Sequence, residues 1–323
     1  MNALGVVSIV GMALSGAALV GMRVAARSRS FDLPALRWLK LPLNALFFPL
    51  RRALCFSRGP YVLVNEDKRD LFAYLDAADA AAAWGREAEL RARFDLTEAH
   101  ACSTRDDYRE VLYHLDVLEQ LGALPGLPSA RGVETVHAVD VGSKDFRYAL
   151  AIERWLRARG GRPVELTGVE LDANGLYRNL HSRRDRAEAY CRAVGPHVRY
   201  VVEDFLAFRS QPVDVVTAFF PFVLPYSLVA WGLPLGHFAP ERFFERYREL
   251  VVPGGLLLVA NHTSEERVRT LELVARVGGF RLLVSMPMRS RLVAYGDEID
   301  DRHVHLFVRE DHSAANSSAR TAT

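Results

Sequence analysis

From residue 133 onward the sequence alternates short apolar runs with charged helical stretches, and this alternation constrains the fold more than any other feature. Strand-like runs at 135–141, 163–171, 197–202, 213–220 and 255–260 are interleaved with helical patterns at 145–159, 174–194 and 240–250. A helical pattern at 265–277 is followed by two runs, 279–286 and 302–309, with no helix between them. A parallel strand pair needs a crossover long enough to hold a helix, so the alternation predicts a parallel sheet with helices on both faces. The last two runs lack that crossover, and one of them is expected to run antiparallel. The expected fold class is α/β: a doubly wound, mostly parallel seven-stranded sheet with an antiparallel last strand, plus an N-terminal helical extension.

The region ahead of the sheet divides by composition. Residues 3–22 are 20 uncharged, mostly apolar positions, about the length that spans a hydrocarbon core. Arg23, Arg27 and Arg29 follow directly, which predicts that the C-terminal bulk stays on the cytoplasmic side. A cleaved signal peptide and a start at Met12 or Met22 are rival readings of the same stretch. Residues 36–54 are apolar and basic. They read either as a segment lying among lipid headgroups or as an arm packed on the domain, with Pro42 and Pro49 expected to break any long helix. The formal charge of +2 splits into +7 over residues 1–60 and −5 over the rest. The even balance argues against a nucleic-acid partner by bulk electrostatics. The split suggests a basic arm against anionic lipid.

Residues 66–122 read as helical. Tyr108, Val111, Leu112, Leu115 and Leu118 make an amphipathic face, and Thr104 stands where an N-cap is expected. The expected organisation is an anchor at 1–22, a basic arm at 23–60, a helical lead-in at 61–132, the sheet domain at 133–310 and a polar tail at 311–323. His100 and His114 read as structural or surface residues. Cys55, Cys102 and Cys191 form no metal or disulfide pattern and read as small buried hydrophobes. His303 and His305 share a strand face, and no metal site is expected from them.

The run from 133 to 310 resembles the class I S-adenosylmethionine-dependent methyltransferases. The residues that carry the resemblance come in order: Asp140-Val141-Gly142 after the first strand, Gly168-Val169-Glu170-Leu171-Asp172 at the second, Glu203-Asp204-Phe205 at the third, Asp214-Val215-Val216 in the fourth and the LVVPGGLLL entry to the fifth. The resemblance implies S-adenosyl-L-methionine as cofactor. It implies that Asp140, Gly142 and Ser143 form the first loop, that Glu170 holds the ribose hydroxyls, that Asp204 and Phe205 flank the adenine and that Phe219 lines the site. One departure is plain. Lys144 and Phe146 stand where the family has further glycines. In this loop Asp145 is a candidate to balance a sulfonium and Phe146 to cover one face of the ligand. The missing G-x-G-x-x-G also argues against a dinucleotide oxidoreductase.

In the family the loop after the fourth strand faces the methyl acceptor. Here it reads FFPFVLPY, with no polar residue ahead of the proline, which counts against an amino group of a nucleobase as acceptor. So apolar a stretch suits a lipophilic small-molecule pocket, a membrane contact or simple core cover. His262, just after the fifth strand, is the candidate catalytic base; His237 and Tyr226 are weaker ones. The expected activity is a membrane-tethered methyltransferase on the cytoplasmic face, acting on a small acceptor. A non-catalytic scaffold with the same fold and a protein methyltransferase are the alternatives.

Overall fold

The computed structural model describes residues 34–122, 125–127, 134–293 and 301–311. The expected anchor at 1–22 lies outside these residues, and so does the expected tail at 311–323 beyond its first residue. No helix among the described residues is long and apolar enough to cross a membrane.

The chain folds into two compact units. One contains residues up to Leu50 together with Leu224–Phe238; the other contains Arg51–Val223 and Ala239–Thr323. In the smaller unit, α1 (Pro34–Leu54, whose last four residues belong to the larger unit) is a single helix that runs through both prolines, contrary to the expected break. Pro42 and Pro49 are seven residues apart, so they share one face, and both are exposed. The carbonyls that lose their N–H partners there can turn to water, which lowers the cost of an internal proline. Asn44 Nδ2 donates to the carbonyls of Val229 (2.9 Å) and Leu233 (3.2 Å), and the buried Phe48 meets His237 edge-on at 5.0 Å. The stretch after the fourth strand is therefore no open loop. It holds a short helix, α7 (Pro225–Trp231), and a 3-10 turn, Leu235–His237.

The larger unit begins with helices α2 (Ala77–Phe94), α3 (Thr97–Ala101) and α4 (Arg105–Gln120). Thr104 caps α4 by accepting from the Asp107 N–H, as its position predicts. The five predicted apolar positions of α4 are buried, and so are Tyr113, His114, Asp116 and Val117. An amphipathic helix has thus become an enclosed one, because α4 packs on α2 and on the helix after the first strand. The lead-in shares one hydrophobic cluster with the sheet.

The sheet is built from β1 (Val136–Val141), β2 (Val164–Glu170), β3 (Val198–Val202), β4 (Val213–Phe219), β5 (Val251–Asn261), β6 (Phe280–Pro287) and β7 (His303–Arg309). The spatial order is β3-β2-β1-β4-β5-β7-β6. β1 to β5 are parallel, and β7 lies antiparallel between β5 and β6. The expected class and the antiparallel last strand are both found. From β1 the chain steps outward through α5 (Ala149–Gly160) to β2 and through α6 (Arg183–Val194) to β3. From β4 it steps the other way, and α8 (Pro240–Leu250) enters β5, followed by α9 (Ser264–Val277). Right-handed crossovers in opposite directions put the two helix sets on opposite faces. The reversal between β1 and β4 is the switch point beyond which ligands bind in open α/β sheets. Two helices are shorter than expected. α5 starts at Ala149 because residues 142–148 are a tight loop, and α6 starts at Arg183, where Ser182 and Asp185 form a capping box.

β7 carries one costly group. His305 is fully buried, and neither ring nitrogen has a hydrogen-bonding partner among the described residues. Burial, then the charges of His303 and Arg267, pushes its pKa down to about 4. The unfolded ring protonates near its ordinary 6.5, so between those values the unfolded state binds more protons. The contribution is complete above about pH 6.5 and is lost as pH falls toward 4, about 3 kcal/mol in all. His305→Leu is expected to raise the neutral-pH stability by about 1–3 kcal/mol by removing two orphaned polar atoms, and to flatten the acid slope. Urea unfolding of both chains between pH 4 and 7 reads this; parallel slopes would reject it.

Candidate functional site

The site is built where β1 and β2 end side by side. β1 closes on Asp140 and Val141, and the chain then turns at Gly142 with φ +77°. Nothing lies within 4 Å of where a Cβ on Gly142 would stand, so the turn faces open space. The Gly142 and Ser143 N–H groups both donate to the Val169 carbonyl of β2, at 2.9 and 3.3 Å. That pins the loop to the neighbouring strand.

Glu170 is the last residue of β2. One carboxylate oxygen accepts from the Lys144 N–H (2.8 Å) and the other from the Asp172 N–H (2.7 Å). Each oxygen keeps a further lone pair, so the carboxylate can still accept from two hydroxyls. Burial pushes its pKa up, opposed by the Arg183 guanidinium and these N–H groups. Asp172 is committed elsewhere. It pairs with Arg183 at 2.9 Å and Arg51 at 3.2 Å.

Asp140 and Ser143 are fully buried. Asp140 accepts from Thr217 Oγ1 of β4 (2.6 Å) and from Tyr148 Oη (3.0 Å), while Ser143 Oγ donates to the Asp140 carbonyl at 2.9 Å. Burial raises the Asp140 pKa to about 6, held back by the Thr217, Ser143 and Tyr148 hydrogen bonds. Both residues therefore brace the loop from beneath.

Lys144 and Phe146 keep the backbone of glycines. Their φ values are 54° and 52°, the left-handed region that costs a side-chain-bearing residue about 1 kcal/mol or more. Tyr200 Oη donates to the Lys144 carbonyl at 2.6 Å, and the Phe146 N–H to the Ser143 carbonyl at 2.8 Å, which holds the strained path. The Phe146 ring is fully buried against β2. A Cβ at Gly168 would stand 2.7 Å from that ring and 2.8 Å from Ser143 Oγ, so the strand facing the loop has room for glycine alone at this position. Phe146 is thus beneath the loop and does not cover a ligand face. Asp145 is also withdrawn. Its buried carboxylate accepts from Tyr177 Oη and from Arg147 Nη2 (3.2 Å), so it is not held in reserve for a sulfonium.

The remaining candidates lie further along the rim. Asp204 follows β3 and accepts from the Leu206 N–H at 3.0 Å. Phe205 is buried against Phe243 (5.8 Å) and Tyr247 (5.3 Å) of α8. Phe219 ends β4 with its ring edge-on to Tyr148 and His114, each at 5.1 Å. His114 itself stacks on Tyr148 at 4.8 Å, fully inside the unit. Phe220, at φ 61°, stacks on the exposed His262 ring at 3.7 Å. Arg302 Nε donates to His262 Nδ1 at 3.4 Å. That bond uses Nδ1 as the acceptor and ties the ring to the start of β7.

Sequence reasoning missed Tyr148, Thr217, Tyr200 and Arg302, which position the loop and the histidine. Gly168 could have been read, since a lone glycine in an apolar strand marks a close approach. The Arg302–His262 bond joins residues 40 apart and leaves no sequence signal. Among the described residues no group of His, Cys, Asp and Glu is arranged to hold a metal. Of the cysteines only Cys191 is buried; Cys55 and Cys102 are exposed, contrary to expectation.

No family model matches the chain, and no curated protein matches it. Several solved structures similar to it are described as methyltransferases or putative methyltransferases. The N-methyltransferase NodS of Bradyrhizobium japonicum WM9 is 12% identical, with 64% of this chain and 96% of that one covered and a TM-score of 0.39. A class I S-adenosylmethionine-dependent methyltransferase described as putative, from Listeria monocytogenes, is 16% identical over 64% of this chain and 60% of its own, at 0.43. A Haloferax volcanii protein in complex with the Trm112 activator is 15% identical over 73% and 99%, at 0.41. At these identities and scores the fold is carried by the chain's own strand order, not by the likeness.

Gly168→Ala is expected to destabilise the chain by about 1–3 kcal/mol, because the new methyl meets the Phe146 ring. Adding Phe146→Leu to it should recover part of the loss. Strict additivity of the two in urea unfolding would show that they share no space.

Proposed function

We propose that the chain is an S-adenosylmethionine-dependent methyltransferase acting on a small lipophilic acceptor at the cytoplasmic face of a membrane. The observation that carries this reading is the pairing of the open Gly142 turn with the Glu170 carboxylate at the tips of adjacent strands, next to the switch in strand order. The residues present fit the adenosine half of the cofactor. Glu170 offers two lone pairs to a ribose diol, and the bare Gly142 backbone allows close approach. The cofactor, when bound, supplies a methyl group activated on a sulfonium.

The chain's own contribution is to hold and align. Lys144 N–H and Asp172 N–H fix both oxygens of Glu170, so the carboxylate is oriented before a diol arrives. Asp140 locks the end of β1 to β4 and to Tyr148, which keeps the first loop from drifting. His262, held at Nδ1 by Arg302, is the candidate base just after β5. The apolar composition of residues 219–235 supports a lipophilic acceptor. The 20-residue apolar run at 3–22 and the arginines behind it support the anchor and its orientation.

A second reading has its own observation. Lys144 and Phe146 hold glycine-type backbone at a cost, and a loop so altered also suits a scaffold that kept the fold without the chemistry.

Calorimetric titration of the detergent-solubilised full chain with S-adenosylmethionine and with its demethylated product tests the first reading. Heat is expected with both, and Glu170→Ala should weaken each at least about tenfold, or about 1.4 kcal/mol. No heat from folded protein sinks the proposal, and unchanged affinity in the variant sinks the ribose role.

A further inference from the structure

From the last turn of α1 toward α2 the larger unit carries a strap, residues 51–66, that polar contacts tie to the body while apolar side chains stay exposed. Arg51 pairs with Asp172, Ser57 Oγ donates to Asp185 Oδ1 at 2.6 Å, and the Gly59 carbonyl lies 3.2 Å from His181 Nδ1. Tyr61 meets His181 edge-on at 5.2 Å with the Arg186 guanidinium 4.9 Å from its ring centre. At the far end the Glu66 N–H donates to the Ser103 carbonyl at 3.1 Å.

The apolar groups face out. Leu54 is 74% exposed, Phe56 50%, Val62 72% and Val64 56%. Tyr61 and Leu63 are partly buried between them, so the extended stretch alternates and puts its valines on the outer side. Single exposed hydrophobes are ordinary, but four within eleven residues on one segment are not. Arg52 and Arg58 are exposed in the same stretch, Arg58 with one Nη1 hydrogen donated to the Asn179 carbonyl at 3.2 Å and its other donors left for a phosphate, and no acidic residue stands between positions 51 and 65. In sequence the strap follows the apolar run at 3–22 and belongs to the end of the chain that holds the net charge of +7.

We propose that residues 54–64 are a membrane-contact surface, with Leu54, Phe56, Val62 and Val64 entering the headgroup–acyl boundary of an anionic leaflet and Arg52 and Arg58 meeting lipid phosphates. The charge of the strap selects lipid over a second copy of this chain, because two like-charged straps would repel. Apolar side chains flanked by arginine suit the interface, where the rings and methyls go down and the guanidinium stays at the phosphate level. The surface deepens the proposed location at the membrane and is independent of cofactor binding. It predicts that the body of the protein is held flat against the bilayer and does not swing on a tether.

The test uses the full chain with Cys55→Ser and Cys102→Ser, which removes the two exposed thiols. Burial pushes the remaining thiol, that of Cys191, up to about 12, so it does not react with the label. Val62→Cys carries an environment-sensitive dye; Val268→Cys on α9, also exposed, is the control. Each is reconstituted in vesicles of equal parts phosphatidylcholine and phosphatidylglycerol containing a quencher on the acyl chain. The dye at position 62 is expected to lose most of its emission and the dye at 268 to keep it, with the difference shrinking in pure phosphatidylcholine. Flotation with the vesicles but no quenching at 62, or equal quenching at both sites, overturns the strap proposal and leaves the anchor standing. A chain that fails to float overturns both. Cross-linking between two position-62 cysteines in lipid-free protein assigns the surface to a second copy and overturns the lipid reading.

Discussion

A carboxylate buried without a cation is the pin on which the candidate site turns. Asp140 sits at the end of β1 with hydroxyls from Thr217 and Tyr148 on its oxygens and the Ser143 hydroxyl on its carbonyl. These bonds join the two strands that flank the switch in order, the first loop and the residue that precedes α5. Burial works against the charge and lifts its pKa to about 6; the three hydroxyls work for it. Every other element of the site is referred to this point. Glu170 reaches the loop only because the loop is held there, and Phe219 meets Tyr148 only because Tyr148 is tied to Asp140.

The loop above this pin shows how backbone shape and side-chain chemistry can come apart. Two positions that glycine would fill without cost hold Lys144 and Phe146 in the left-handed region. The path of the chain is kept, and the strain is offset by the Tyr200 hydroxyl and by a ring that finds its space over Gly168. Strain of this kind persists where the surroundings over-determine the conformation.

The sheet was legible because it depends on periodicity. Seven apolar runs, the missing crossover at the end and the proline at the start of α8 are local signals, and each found its place. Thr104 was legible for the same reason, since a cap acts over three residues. The errors came where distant residues decide. Pro42 and Pro49 permit a helix because both face water, which no local rule states. The span 174–182 was joined to the charged run behind it, yet it holds a single arginine and a glycine, and the capping box at Ser182 starts the helix later. Asp145 read as available because its partners, Arg147 and Tyr177, were not seen to converge on it. Of the candidate site, Gly142 and Glu170 could be named from order and spacing; the hold of Arg302 on His262 could not, since it joins residues 40 apart.

The placement of Phe146 against Gly168 has a bearing on any attempt to redesign this loop. Replacing the aromatic residue with glycine would ease the backbone and also empty the volume of a ring next to a strand position that has no side chain of its own to fill it. The two positions form a lock and its recess, and a sequence can cross from one arrangement to the other only by changing both.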